Sequence, residues 1–155
     1  MSASIHDKLQ DKGLNLPSGA APAANYVPYV RSGDLLFVSG QISMDASGAL
    51  ITGKVGADLD VDQGAAAAER CALGLLAQVG AACDGDFSKL KRVVKLTGFV
   101  NSTPDFTDQP KVVNGASDLL VDLLGDVGRH SRSAVSAGAL PFNVAVEIEG
   151  IFELV

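Results

Sequence analysis

The chain has 155 residues, enough for one domain that buries about 70% of the surface its unfolded form exposes. Hydrophobic residues make up 47% of it, but no apolar run approaches the roughly 18 residues needed to cross a bilayer. The net charge is −6, which argues against nucleic acid as a partner because that affinity comes largely from Lys and Arg. The polar start "MSASIHDKLQDKG" has no apolar stretch typical of a secretory signal. We therefore expect a cytoplasmic protein with no membrane partner.

The first part of the chain predicts a lead-in followed by a hairpin. Residues 1–24 look the least structured and close on "LPSGAAPAANY", where Gly, Ala and Pro give no helical or strand period, so we expect an N-terminal lead-in there and a single domain over residues 25–155. The stretch "YVPYVRSGDLLFVSGQI" predicts two strands, over residues 26–31 and 35–40, joined by a turn at Ser32-Gly33-Asp34.

The rest of the chain alternates helices and strands. An alanine-rich helix is predicted over residues 62–83, where its small side chains allow close packing, and a second helix over residues 112–124, ended by Gly125. Strands are predicted over residues 90–102, 131–137 and 144–154, and "STPDFTDQPK" is predicted to be a loop. The order β-β-α-β-α-β-β indicates an α+β fold, with a single layer of two helices packed on one face of a mostly antiparallel sheet.

A sheet covered on one side leaves its other side open. In the last strand one face carries apolar side chains and the other is acidic, with Glu147, Glu149 and Glu153 in alternation. The open face also carries Ile151 and, by the same alternation, Phe99 and Val135. We expect the chain to cover this face by self-association.

Two charged side chains in the last two strands are candidate functional groups. Arg132 alternates with Ala134 and Ser136, and a guanidinium above small residues can bind a carboxylate through two hydrogen bonds. The alternative is an exposed arginine paired with an acid of a neighbouring strand, Glu147 included. Glu147 itself can be simply solvated or can act on water as a general base.

The cysteines and histidines do not predict a metal site or a thiol nucleophile. Cys71 and Cys83 both fall in the alanine-rich helix, and we expect buried, reduced thiols. His6 lies in the lead-in and His130 before a strand, and neither has the spacing that forms a zinc site with the cysteines.

Four stretches taken together, "PYVRSGDLLFVSGQI", "KLTGFVNSTPDF", "VVN" and "SRSAV...LPFNVAVEIEGI", resemble the Rid family, the reactive intermediate deaminases also called YjgF-like proteins. The resemblance runs from about residue 22 to the C-terminus. It implies a chorismate-mutase-like fold and a homotrimer whose sheets form a barrel, with sites between subunits. It also implies hydrolysis, without a cofactor, of reactive enamines and imines such as 2-aminoacrylate to a 2-keto acid and ammonium.

The resemblance also implies roles for individual residues. Arg132 matches the arginine that grips the substrate carboxylate, and Glu147 matches the acid that positions or activates water. The residues that match the walls of the substrate site are Tyr29, Ser39, Gly40, Asn114 and Ala134. Many deaminases of the family have Cys where this chain has Ala134, and the loop "TDQPK" is longer here. Two other functions stay open: a regulatory trimer that binds a small carboxylate without turnover, and an endoribonuclease or translation inhibitor.

Overall fold

A computed structural model of the chain describes residues 3–18 and 24–155. The main elements in chain order are helix α1 (Ile5–Asp11), strands β1 (Tyr29–Ser32) and β2 (Leu35–Ile42), helix α2 (Val61–Ala82), strand β3 (Leu90–Asn101), helix α3 (Gln109–Leu124) and strands β4 (Ser131–Ala137) and β5 (Val146–Leu154). From β1 onward this is the predicted order of strands and helices. In the described part of the chain, no helix is long and apolar enough to cross a membrane.

The five strands form one sheet in the order β1-β2-β5-β3-β4. Only β3 and β4 run parallel, so the prediction of a mostly antiparallel sheet is confirmed. The central strand β5 alternates as expected: Val146, Ile148 and Phe152 are fully buried under the helices, whereas Glu147 and Glu149 lie on the other face. We call that second face the open face.

Helices α2 and α3 cover one side of the sheet, as predicted, and pack closely against each other. A side chain on Gly115 of α3 would overlap the backbone carbonyl of Ala65 in α2. Helix α3 also sits close to β3, because a methyl group on Gly98 would lie 2.7 Å from the side chain of Val113. Small residues therefore set the distance between the two helices and the distance between α3 and the sheet.

The prediction that the lead-in has no regular structure is wrong for residues 5–11, which form α1. Ser4 and Asp7 cap this helix reciprocally, each side chain accepting a hydrogen bond from the other's backbone N–H. Ile5 and Leu9 are buried, and Lys8 Nζ donates to the carbonyl of Leu123 at 3.3 Å. The helix is thus held on the C-terminal end of α3. Residues 1–2 and 19–23 of the predicted lead-in lie outside the described residues.

Several boundaries differ from those predicted. Strand β1 begins at Tyr29, three residues later than expected, and β2 continues to Ile42 through a bulge between Val38 and Gln41. Helix α3 begins at Gln109, so part of the predicted loop is helical. Pro110 fits there because the first turn of a helix does not use its backbone N–H groups internally.

The approach of α2 to α3 predicts an unusual response to Gly115→Ala. Alanine normally favours a helix over glycine by up to about 1 kcal/mol, but here its methyl group would meet the Ala65 backbone, which cannot turn away. We expect the free energy of unfolding to fall by about 1 to 3 kcal/mol, measured by urea denaturation. The control is Gly138→Ala, whose methyl group would meet nothing within 4 Å. An equal or higher stability for Gly115→Ala would contradict this packing.

Candidate functional site

Arg132 lies on the edge strand β4 and points to the helix side of the sheet. It is in register with Leu96 of β3, which is fully buried on that side. Its guanidinium donates to Ser117 Oγ at 3.0 Å and to the backbone carbonyl of Pro110 at 3.2 Å, both in α3. Among the described residues it forms no ion pair. The alternative prediction, in which Arg132 pairs with an acid of a neighbouring strand, is therefore wrong within this chain.

Ser117 connects Arg132 to His130, a contact that the sequence analysis missed. His130 Nδ1 lies 2.6 Å from the carbonyl of Gly128, and Nε2 lies 2.8 Å from Ser117 Oγ. A carbonyl only accepts, so Nδ1 carries the proton, and in the neutral ring Nε2 accepts from the serine hydroxyl. Ser117 Oγ in turn accepts from Arg132. Burial, and after it the positive charge of Arg132, lower the pKa of His130, which favours this neutral form.

Two other predicted residues lie beside Arg132. Asn114 is exposed on α3 and, by its spacing, on the same helix face as Pro110 and Ser117. Ala134 is half-buried and lies two residues beyond Arg132 on the same side of β4. We call the set Arg132, Ala134, Asn114, Ser117 and His130 the arginine group. It presents a cation and neutral hydrogen-bonding groups, which suits a carboxylate.

Glu147 lies on the open face, away from the arginine group. Its neighbours across the two adjoining strands are Ile42 and Phe99, so the carboxyl group sits between apolar side chains. Burial, and after it the negative charge of Glu149, raise the pKa of Glu147. A carboxyl with a raised pKa exchanges protons closer to neutral pH, which suits a general acid or base.

The bulge in β2 brings Gly40 beside Glu147, with Ser39 next to Gly40 in the chain. Ser39 is tied to the chain before β1, with its N–H donating to the carbonyl of Pro28 and its hydroxyl to that of Val27, each at 2.9 Å. At Gly40, an added methyl group would lie 2.5 Å from Glu147 Oε2. Glycine is required here because the carboxylate occupies the space of a side chain. Ser39, Gly40 and Glu147 form what we call the glutamate group.

The structure does not bring all the predicted residues together in one chain. Tyr29 pairs with Val38, whose side chain is buried, and so it points to the helix side at the β1 edge. The opposite edge carries Arg132, across four strand spacings or about 19 Å. Glu147 is on the other face from both. A site that uses all three residues needs more than one copy of the chain.

The cysteines are free and buried, as predicted. Cys71 donates to the carbonyl of Val146 at 3.4 Å, and burial raises the pKa of its thiol, which suppresses the reactive thiolate. Within residues 3–18 and 24–155, no three His, Cys, Asp or Glu side chains cluster to hold a metal ion.

Comparisons with known proteins match almost the whole chain. A family model described as "YjgF/chorismate_mutase-like, putative endoribonuclease" matches residues 6–154. Protein TCP17 of Trypanosoma cruzi is 51% identical over 154 residues, which cover 99% of this chain and 96% of that protein. The crystal structure of protein Atu1372 from Agrobacterium tumefaciens, described as of unknown function, is 50% identical, with a TM-score of 0.92 over 97% of this chain and 92% of that one. RidA from the Antarctic bacterium Psychrobacter sp. PAMC 21119 is 25% identical, with a TM-score of 0.58 over 88% of this chain and 94% of that one.

The lowered pKa of His130 predicts a pH dependence of stability. The unfolded chain binds the His130 proton more readily than the folded one, so the free energy of unfolding falls as the pH drops from about 6.5 toward the lower pKa of the folded state. Urea denaturation at a series of pH values should show a shallower loss for His130→Gln over this range. His6→Gln is the control, since it leaves the contact between Ser117 and His130 in place. Equal slopes for wild type and His130→Gln would show that His130 is not held neutral.

Proposed function

This chain belongs to the Rid family of YjgF/chorismate-mutase-like proteins, and we propose that it hydrolyses reactive enamines and imines that carry a carboxylate. One observation carries the proposal. The arginine group holds a guanidinium in place through two neutral acceptors, Ser117 Oγ and the Pro110 carbonyl, and leaves its charge without an acidic partner among the described residues. A solved structure similar to this chain is named RidA.

Arg132 is suited to bind the substrate carboxylate. A guanidinium has five N–H donors, and hydrogen bonds to Ser117 and Pro110 use one donor each on different nitrogens. The remaining donors are free to bind a carboxylate, with bonds that are about twice as strong as those between neutral groups. Beside the arginine, the small side chain of Ala134 leaves space for the substrate's carbon chain.

The reaction needs a proton and a water molecule. A proton from solvent adds to the enamine carbon and gives the protonated imine, water adds to the imine carbon, and the C–N bond of the resulting carbinolamine then breaks to give the 2-keto acid and ammonium. Glu147 would hold the attacking water and accept its proton, then return it to the leaving nitrogen. The apolar neighbours that raise the pKa of Glu147 make both transfers feasible near neutral pH.

We propose that the complete site forms between copies of the chain in a homotrimer, as the resemblance to the family implies. Arg132 and Tyr29 lie at opposite edges of the sheet, so the arginine edge of one copy can meet the tyrosine edge of the next. Contacts of this head-to-tail kind form a ring when the rotation from each copy to the next closes, as it does in a trimer. The open face supplies apolar surface for such an assembly, with Phe37 43% and Val135 42% exposed.

A second candidate function is carboxylate binding without turnover, in a regulatory trimer. It is favoured by the composition of the arginine group, which contains a binding cation but no acid of its own chain. Endoribonuclease activity, which the description of the matching family names, is the third, and the net charge of −6 argues against it.

The deaminase proposal predicts the effect of removing Arg132. The protein is mixed with a pyridoxal-phosphate-dependent dehydratase that releases 2-aminoacrylate, and pyruvate formation is followed. Arg132→Ala should lower the rate by about 100-fold or more, because the substrate loses its positioning contact. Arg129→Ala is the matched control, since Arg129 is an exposed neighbour whose one ion pair with a described residue is to Asp126.

Equal rates for wild type and Arg132→Ala would rule out the deaminase. Binding of 2-ketobutyrate that depends on Arg132, with no acceleration of pyruvate formation, would instead establish the second candidate.

The shared site predicts that two inactive variants restore each other. Arg132→Ala and Glu147→Gln chains are unfolded together in equal amounts, refolded and assayed. We assume that each site takes its arginine from one copy and its glutamate from the next. In an equal mixture each of the two residues is intact with a probability of about one half, so about a quarter of the sites have both. Activity near a quarter of the wild-type value is therefore expected. No recovery in mixed oligomers, verified by mass spectrometry, would place both residues of a site in one chain.

A further inference from the structure

A cavity of about 550 Å³ lies on the helix side of the sheet, between α2 and β2. The segment after α1 closes it from one side, and the loop after β2 from another. Its wall combines an apolar part, contributed by Leu14, Leu16, Pro17, Tyr26 and Met44, with polar side chains. Its volume falls in the range of small-molecule sites, which are about 300 to 1,000 Å³.

Helix α2 builds the floor of this cavity with one stripe of residues. Arg70, Gly74, Ala77 and Gln78 all line it, and their spacing places them on one helix face. Gly74 allows Gln41 to approach the helix closely, because a methyl group at position 74 would lie 3.0 Å from Gln41 Oε1. Two small residues thus separate a cation at one end of the stripe from a carboxamide at the other.

The cation of the stripe is fixed in place and forms no ion pair among the described residues. Arg70 is half-buried, and its Nε donates to the carbonyl of Met44 at 2.8 Å. Its terminal nitrogens have no hydrogen bond or ion pair with a described residue. Asp45 also lines the cavity, where one of its carboxylate oxygens accepts from Ser47 and Ala49. These hydrogen bonds, and to a smaller extent the charge of Arg70, lower the pKa of Asp45, so this acid offsets part of the Arg70 charge without pairing with it.

Gln78 independently indicates a polar ligand. It is only 6% exposed and lines the cavity, and no hydrogen bond joins its carboxamide to another residue of 3–18 or 24–155. The carboxamide is not a sealed, unsatisfied group, since no buried side-chain polar atom of the described residues lacks a partner, and its oxygen and NH₂ group can accept from and donate to a ligand in the cavity. A ligand with a polar group would give Gln78 hydrogen bonds that the described residues do not provide.

We propose that this cavity is a second binding site, for a small monocarboxylate with an apolar chain. The carboxylate binds the terminal nitrogens of Arg70 and the carboxamide of Gln78, and the chain lies along the apolar wall. The cavity borders the glutamate group, because Ser39 and Gly40 also line it. Its cation is different, since the proposed deaminase uses Arg132 on β4 and this site uses Arg70 on α2.

The test uses hexanoate as the probe and the full chain, labelled with ¹⁵N. Titration of wild type should give saturable shifts of backbone amides concentrated in residues 70–78, and hexanamide, which lacks the charge, should bind more weakly. Arg70→Ala should weaken hexanoate binding by about tenfold or more, while Arg132→Ala should bind it as wild type does. Ala77→Phe, which fills the cavity from the floor, should abolish binding while leaving Arg70 in place.

Each result decides for or against the site. Loss of binding in Arg132→Ala with retention in Arg70→Ala would assign the carboxylate to the arginine group and overturn the proposal. The absence of saturable shifts in wild type, or unchanged affinity in Ala77→Phe, would also overturn it. If Arg70→Ala does not fold, Ala77→Phe and Gln78→Leu decide, since both leave the Arg70 contact with Met44 intact.

Discussion

The alternation of side chains along β5 decides which groups of this protein are buried and which are left for chemistry. β5 is hydrogen-bonded to β2 on one side and to β3 on the other, so it cannot slide without breaking both ladders. A shift by one residue would turn Glu147 into the core and Phe152 out of it. The burial of Phe152 therefore fixes Glu147 on the open face, and the register with β3 fixes its apolar neighbour Phe99.

The glutamate group and the arginine group are held in position by different parts of the fold. Glu147 is placed by the central strand alone, whereas Arg132 is placed by an edge strand together with α3. Its two acceptors, Ser117 and Pro110, belong to the helix, and the position of the helix over the sheet depends on the glycines at its contacts. The orientation of the guanidinium thus depends on packing between layers, and not only on the sequence of β4.

The sequence was sufficient to predict the layers, the order of the elements from β1 onward and the acidic face of β5, since these follow from periodicity over many residues. It was not sufficient for α1, whose seven residues contain only two buried side chains, Ile5 and Leu9. The contact between Ser117 and His130 joins a helix to the turn before β4, and no local pattern encodes it. Placing Arg132 and Tyr29 at opposite edges of the sheet required the strand order, which the pattern of a single strand does not contain.

The strand order has a consequence for how the protein folds. β5, the last strand along the chain, lies at the centre of the sheet, and its partner β2 is more than a hundred residues earlier. During synthesis β2 and β3 have no strand between them until β5 has been made. Leu36, Val38 and Val93 therefore lack their neighbours on β5 for most of that time. Contacts of such long sequence separation slow folding and expose apolar strands to aggregation. Chaperones that act on the nascent chain would therefore bind a sheet whose central strand has not yet been added.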